Sequence, residues 1–257
     1  MHAIKITASI AGSIALARPQ DLSLDGILAT QVLRAHYGND FYTLPNPSEH
    51  LRFARLPLEL RGRPSPEVAQ ADTGYVLFDV ATRHKDDSLW YWACSAAQIH
   101  VKARSTQYWN KRFDTQASLS DHIDFGGRVE KILIEQGRFK AYHMPLPTLV
   151  CDKVEWYAYG DGEHVALFLQ GVSALGKKRA YGNGAVLRWE IEQRAEDESE
   201  WHAGQLMRPI PGPLVNLDSV TPLHLEHIAF RAPQWHPLNQ AMCVTAAHRK
   251  DVAHVGS

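Results

Sequence analysis

Ten residues concentrate the side chains and backbone that could do chemistry in this chain: Leu175-Gly176-Lys177-Lys178-Arg179-Ala180-Tyr181-Gly182-Asn183-Gly184. Three glycines, three consecutive cations and one tyrosine fall in that run. Glycine lets a backbone approach a ligand closely and take positive φ. Successive free N–H groups beside Lys and Arg attract phosphate. The residue types therefore fit a cradle for a phosphate backbone, built from Gly176, Lys177, Lys178, Arg179, Tyr181 and Gly182. They also fit a helix C-cap at Gly176 followed by a solvated turn, and spacing alone leaves both open. Nucleotide hydrolysis is not implied. Gly171-Val172-Ser173-Ala174-Leu175-Gly176-Lys177 follows most of a P-loop pattern. However, Lys178 stands where a Ser or Thr would hold magnesium, and the run ends a predicted helix instead of following a strand.

A second basic segment runs from Lys102 to Arg112. Lys102, Arg104, Lys111 and Arg112 are interleaved with Tyr108 and Trp109, and no acidic residue precedes Asp114. Cations that follow a backbone and rings that stack on bases are the means of holding single-stranded nucleic acid, at roughly 1–3 kcal/mol per stacked base. A surface hairpin with Trp109 packed back on the core is the alternative. Lys140, Tyr142 and His143 could supply a cation and a general acid or base for metal-independent RNA cleavage. Alternation along a strand puts Lys140 and Tyr142 on one face and His143 on the other, which separates them. His224 and His227 are spaced H-x-x-H upstream of Cys243 and His248. Zinc needs four well-placed ligands, and Cys94 and Cys151 supply no matching pair, so neither metal nor cofactor is expected.

The elements that must position these residues are partly legible. Ile4, Ile6, Ala8 and Ile10 alternate with Lys5, Thr7 and Ser9, predicting a strand that Gly12 ends. Ser23 is a predicted N-cap with Asp25 in the first turn. Leu24, Ile27, Leu28 and Val32 form the helix's apolar stripe, and Gly38 stops it. Five prolines make residues 44–71 an irregular surface insertion, with Arg52, Arg55, Arg61 and Arg63 exposed. Tyr75–Val80 and Leu89–Cys94 are predicted buried strands. Phe139–Pro145 is a short strand stopped by proline, and Val154–Tyr159 is another, with Trp156 and Tyr157 on opposite faces. Asp161 caps a helix whose stripe is Val165, Phe168, Leu169, Val172 and Leu175. Leu187, Trp189 and Ile191 alternate in the strand after the basic loop. Residues 203–257, rich in Pro and His, are expected to wrap on the domain as an irregular tail.

The 257 residues and 45% hydrophobic content suffice for one large domain, and no linker divides residues 1–257. The formal charge of −1 creates no global field for nucleic acid, so binding must come from local patches. Three dispersed cysteines suit a reducing cytoplasm. No signal peptide or membrane span is expected.

Several segments together resemble one superfamily. They are Ile6-Thr7-Ala8 with Ala11-Gly12, Leu24-Asp25-Gly26-Ile27-Leu28-Ala29, and Trp92-Ala93-Cys94-Ser95. They continue with Tyr108-Trp109-Asn110-Lys111-Arg112-Phe113-Asp114 and Lys140-Ala141-Tyr142-His143-Met144-Pro145-Leu146. The set ends with the loop Gly176–Gly184 and Arg208-Pro209-Ile210-Pro211. The ordered set resembles the RAMP proteins of CRISPR systems, and within them the small RAMP subunit of type IV effector complexes related to the fifth Cas family. The resemblance implies an α+β fold, a ferredoxin-like, RRM-type sheet with a glycine-rich loop and irregular insertions. It implies a noncatalytic subunit that grips the 5′ handle of the crRNA. Such a subunit caps the repeated backbone RAMP subunit and lies near the large-type subunit, where the target DNA duplex enters beside the PAM. Lys177, Lys178 and Arg179 would then hold handle phosphates, and Lys102, Arg104, Lys111, Arg112 and Lys140 would follow the strand. Cleavage of precursor crRNA by Lys140, Tyr142 and His143 is the alternative role.

Overall fold

β1 (His2–Ala11) realises the alternation read from its sequence: Ile4, Ile6, Ala8 and Ile10 are buried on one face. Gly12, at φ +89°, interrupts the strand without ending it. The chain resumes as β2 (Ser13–Ala15) and pairs with the same neighbour. The predicted stop is thus a bulge, because the carbonyl of Gly12 still accepts from Cys151 N at 3.1 Å. The computed structural model describes residues 1–16, 22–69, 88–111, 141–215 and 224–245. The predicted strand Tyr75–Val80 and the start of the predicted strand Phe139–Pro145 fall outside these.

The architecture is α+β. α1 (Leu24–Tyr37) follows β2 and buries Leu24, Leu28, Ala29, Val32 and Leu33. Ser23 sits at the N-cap, but its hydroxyl accepts from Gln234 Nε2 at 2.6 Å instead of from the helix. After α2 (Pro47–Arg52), β3 (Leu60–Gly62), α3 (Pro66–Ala69) and β4 (Trp90–Trp92) come two long strands, β5 (Gln98–Lys111) and β6 (Tyr142–Gly160). α4 (Gly162–Leu169) and β7 (Ala185–Gln193) complete the main sheet. Its order is β5–β6–β1–β7, with every neighbouring pair antiparallel and β2 continuing β1 along β6. α1 and α4 contribute Leu28, Val32, Val165 and Leu169 to one core with Ile4, Ile6, Val154 and Trp156.

Several expectations from local sequence are corrected. The described residues 44–69 are neither irregular throughout nor a surface insertion: they carry α2, β3 and α3, and Phe53, Ala54, Leu56 and Leu58 lie in the main core. Two of their arginines are committed internally. Arg52 is buried, and Arg61 is held by Glu59, Asp197 and Glu200 at 2.5–2.9 Å. Pro145 does not stop a strand, because β6 runs through Pro145 and Pro147. Their missing N–H groups fall on the side where Cys151 donates to Gly12, away from β5, and β2 pairs there only from Thr148 onward. The stripe from Val165 to Leu175 is not one helix. α4 ends at Leu169, and Val172 and Leu175 enter the same core from irregular chain beyond Gly171.

The described residues after β7, 194–215 and 224–245, are also more ordered than a tail. β8 (Trp201–His202) pairs with β9 (Gln205–Leu206), and β10 (Ile210–Pro211), β12 (Gln240–Thr245) and β11 (His224–Ala229) form a three-stranded sheet over a second apolar cluster. Buried arginines fasten it to the main body. Arg208 donates to the carbonyls of Trp92, Cys94 and Phe230, and its guanidinium lies 4.3 Å from the Tyr91 ring. Arg231 and Arg52 both donate to Asn239 Oδ1, at 2.7 and 3.0 Å. Asp25, the acid predicted to favour the N-terminus of α1, also accepts from Ala232 N at 3.0 Å. Among the described residues no helix is long and apolar enough to cross a membrane.

Candidate nucleic-acid interface

The glycine-rich loop is closed at its base by a short hairpin. Val186 N donates to Ser173 O at 2.9 Å, and Leu175 N to Gly184 O at 2.8 Å. Its two flanks then lie along β2, through Lys177 N to Ala15 O at 2.8 Å and Gly184 N to Ser13 O at 2.7 Å. These contacts account for two of the glycines. A Cβ on Gly176 would stand 2.6 Å from Ala15 O, and one on Gly184 would stand 1.9 Å from Leu175 O, both at positive φ. The close approach is to the chain itself. Only Gly182, at φ +82°, faces open space. Between these anchors Lys178 takes a left-handed conformation at φ 55° and Arg179–Tyr181 forms one 3₁₀ turn. Among the described residues the N–H groups of Lys178, Arg179 and Ala180 have no backbone acceptor, and the Arg179 side chain is exposed. The C-cap reading of Gly176 fails, because the helix has already ended at Leu169.

The second basic segment is the outer half of β5, paired with β6 and continuing beyond the β2 edge as a two-stranded ribbon from Thr106↔Pro147 to Lys111↔Tyr142. Side chains from Lys102 to Tyr108 are exposed. Lys102 pairs with Asp152 at 2.8 Å, which holds the Asp152 carboxyl below its usual range. Arg104 is exposed, and the backbone of Lys111 continues the strand. Arg112 and Lys140 lie outside the described residues.

The fold brings the two segments together. Trp109 Nε1 donates to Tyr181 Oη at 3.0 Å, and Lys178 Nζ sits 2.9 Å from the centroid of the Trp109 ring. Asn183, buried beneath the loop, accepts from Ser13 Oγ at 3.2 Å and donates to Gln107 Oε1 at 3.3 Å. Trp109 is half-buried against these groups and the Tyr142 ring, 4.6 Å away, and not against the core. The loop thus packs its Lys178 and Tyr181 against the Trp109 face of the ribbon, whereas Arg104 and Tyr108 lie on the ribbon's opposite face. Asn183 and Gln107, which join the halves, are single polar residues with no spacing signal in the sequence.

Of the trio considered for cleavage, Lys140 lies outside the described residues, and Tyr142 and His143 point to opposite faces of β6. Tyr142 packs on Trp109, whereas His143, its neighbour on the strand, stacks on Tyr108 on the opposite face. His143 Nδ1 is hydrogen-bonded to Asn110 Oδ1. His224 and His227, three apart on β11, point to opposite faces of their strand. His248 lies outside the described residues.

The main sheet's second face, opposite the helices, is charge-compensated. Glu155 Oε1 accepts from Lys5 Nζ at 2.8 Å and Lys153 Nζ at 3.0 Å, and its Oε2 meets His100 Nε2 at 2.5 Å. Burial pushes the Glu155 carboxyl up, but these three donors outweigh it and hold it at about 2. On the same face Arg188 pairs with Glu190 at 2.9 Å. Lys5, Lys153, His100 and Arg188 on this face thus all meet carboxylates.

A family model described as CRISPR type IV associated protein Csf3 matches residues 77–244. The matched span takes in ribbon, loop and C-terminal sheet, and leaves β1 and α1 outside. No curated protein matches the chain.

Proposed function

The chain belongs to the Csf3 family, subunits of type IV CRISPR complexes, and from that premise we propose that it is the noncatalytic subunit that grips the 5′ handle of the crRNA. The observation that carries this reading is the contact of Trp109 with Tyr181 and Lys178, which packs the basic loop against the sequence-distant basic ribbon. Phosphates of the handle would meet the N–H groups and side chains at Lys178–Ala180, with Lys177 and Arg179 beside them. Sugar–phosphate of the next nucleotides would follow Lys102 and Arg104 along the ribbon. Recognition of splayed, unpaired bases by stacking suits RNA single strands. The strand–helix–strand–strand–helix–strand sequence β1, α1, β5, β6, α4, β7, in the order β5–β6–β1–β7, supports a ferredoxin-like, RRM-type RAMP fold.

At the complex level the partners would be the repeated backbone subunit, the large-type subunit and, beside the PAM, the target duplex. Co-expression with the other subunits and a crRNA, purification through a tag on this chain and sequencing of the bound RNA test the proposal. One crRNA with a uniform 5′ end, recovered with an oligomeric backbone protein, is the expected result. Recovery of the chain alone or with heterogeneous RNA would refute it.

Endonucleolytic processing of precursor crRNA is the second reading. The Asn110–His143 bond favours it, since an imidazole whose Nδ1–H is held by an amide oxygen offers Nε2 as a base. Incubation with repeat RNA in EDTA decides between the two. A discrete cut that His143→Ala abolishes would establish the nuclease.

A further inference from the structure

The rings of Tyr108 and His143 stack face to face, with centroids 4.4 Å apart and planes 10° from parallel. Both are exposed, Tyr108 at 58%. They lie on the ribbon face opposite Trp109, because neighbouring residues of a strand point to opposite sides. Trp109, the ring with the largest stacking surface in this segment, is engaged: its N–H is bound to Tyr181, and Lys178 covers one face. An exposed pair of parallel rings, held in place by Asn110 on one edge, has lost its rotamer freedom in advance of any ligand.

We infer that Tyr108 and His143 form the stacking platform for one unpaired nucleobase, that Asn110 sets the plane of the imidazole, and that Trp109 is a positioning residue that bolts ribbon to loop. This assignment rests on the nucleic-acid reading of the ribbon and deepens it. It moves the base contact from Trp109 to the opposite face and gives His143 a stacking role in place of proton transfer. Arg104 lies four residues from Tyr108 on the same face, about 13 Å along the strand, where it can meet a phosphate of the strand that carries the stacked base. A duplex keeps its bases stacked on one another, so the platform selects single strands.

The test uses the full chain and single-stranded RNA oligonucleotides carrying 2-aminopurine at successive positions, whose emission falls when the base stacks. Wild type is expected to quench one position, and the matching duplex none. Tyr108→Leu and His143→Ala should each abolish that quenching and weaken binding by about 5- to 150-fold, the range of one stacked base. His143→Phe, which keeps a flat ring but has no nitrogen, should bind within about threefold of wild type and quench fully. Two patterns would overturn the platform alone: wild-type binding with no quenched position, or His143→Phe as defective as His143→Ala. RNA cleavage lost in His143→Phe with binding intact would assign His143 to proton transfer and overturn it likewise. Failure of the wild type to bind any single strand would overturn the nucleic-acid reading and this assignment with it.

Discussion

Replacement of Lys177 and Lys178 by glutamine tests whether the loop holds phosphates, and its consequence can be worked out quantitatively. Each phosphate contact on a single strand contributes about 0.7 to the slope of log affinity against log salt. Loss of two contacts therefore lowers the slope by about 1.4. Between 50 and 200 mM salt the wild type should then lose about sevenfold more affinity than the double variant. The structure separates the two lysines. Lys177 is exposed at the edge of the loop, whereas Lys178 also sits over the Trp109 ring. Lys178→Gln should thus add a salt-independent loss, about 2- to 5-fold for an exposed cation–π contact of ~0.5–1 kcal/mol. Trp109→Phe keeps a ring beneath Lys178 but removes the N–H donated to Tyr181. It should weaken binding by a similar factor without altering the slope. Fluorescence anisotropy of a labelled handle RNA across five salt concentrations measures all three. An unchanged slope in the double variant would remove the loop as the phosphate cradle, whatever happened to the affinity.

We predict that Gly184→Ala, whose methyl would meet the Leu175 carbonyl at 1.9 Å, destabilises the fold by about 2 kcal/mol or more and reduces RNA binding. Gly182→Ala, at φ +82° in open space, should cost only ~1 kcal/mol and leave affinity near wild type; a severe binding defect there would show that the RNA backbone closes on Gly182 itself. Arg208→Ala removes a donor shared by the Trp92, Cys94 and Phe230 carbonyls and should cost about 2–4 kcal/mol in urea unfolding, with a midpoint close to that of wild type counting against the fastening role. The Glu155 carboxyl, depressed from 4.5 to about 2, contributes stability that is complete above pH 4.5 and is lost as pH falls toward 2. The full shift corresponds to about 3 kcal/mol, reduced to ~1–2 because Lys153 and His100 are half exposed. Glu155→Gln should flatten that acid limb in thermal melts, and an unaltered limb would assign the acid sensitivity elsewhere.

Local chemistry determined a good deal. The alternation of Ile4, Ile6, Ala8 and Ile10 required a strand with one buried face. Asp161 was recognisable as a cap and does accept from Glu163 N and His164 N. The basic character of the loop and of Lys102–Arg112 is a property of composition, and the ordered segments were enough to indicate the family. What failed were inferences that needed to know a neighbour. The apolar period through Val172 and Leu175 marks residues that reach the core, but their backbone pairs with the chain at the start of β7 instead of continuing the helix. Pro145 reads as a stop in any single strand, and only the one-sided pairing of β6 makes it tolerable. Arg52, Arg61 and Arg208 look alike as sequence. Burial against carbonyls and carboxylates withdraws them from solvent, whereas Arg179 stays exposed on its loop. The interface itself belongs to tertiary structure. Trp109 and Tyr181 are separated by 72 positions in the chain and by one hydrogen bond in space, because β2 and the ribbon of β5 and β6 give the loop its place. A sequence specifies which groups can bind a polyanion, but hydrogen-bonded strand pairing decides which of them share a surface.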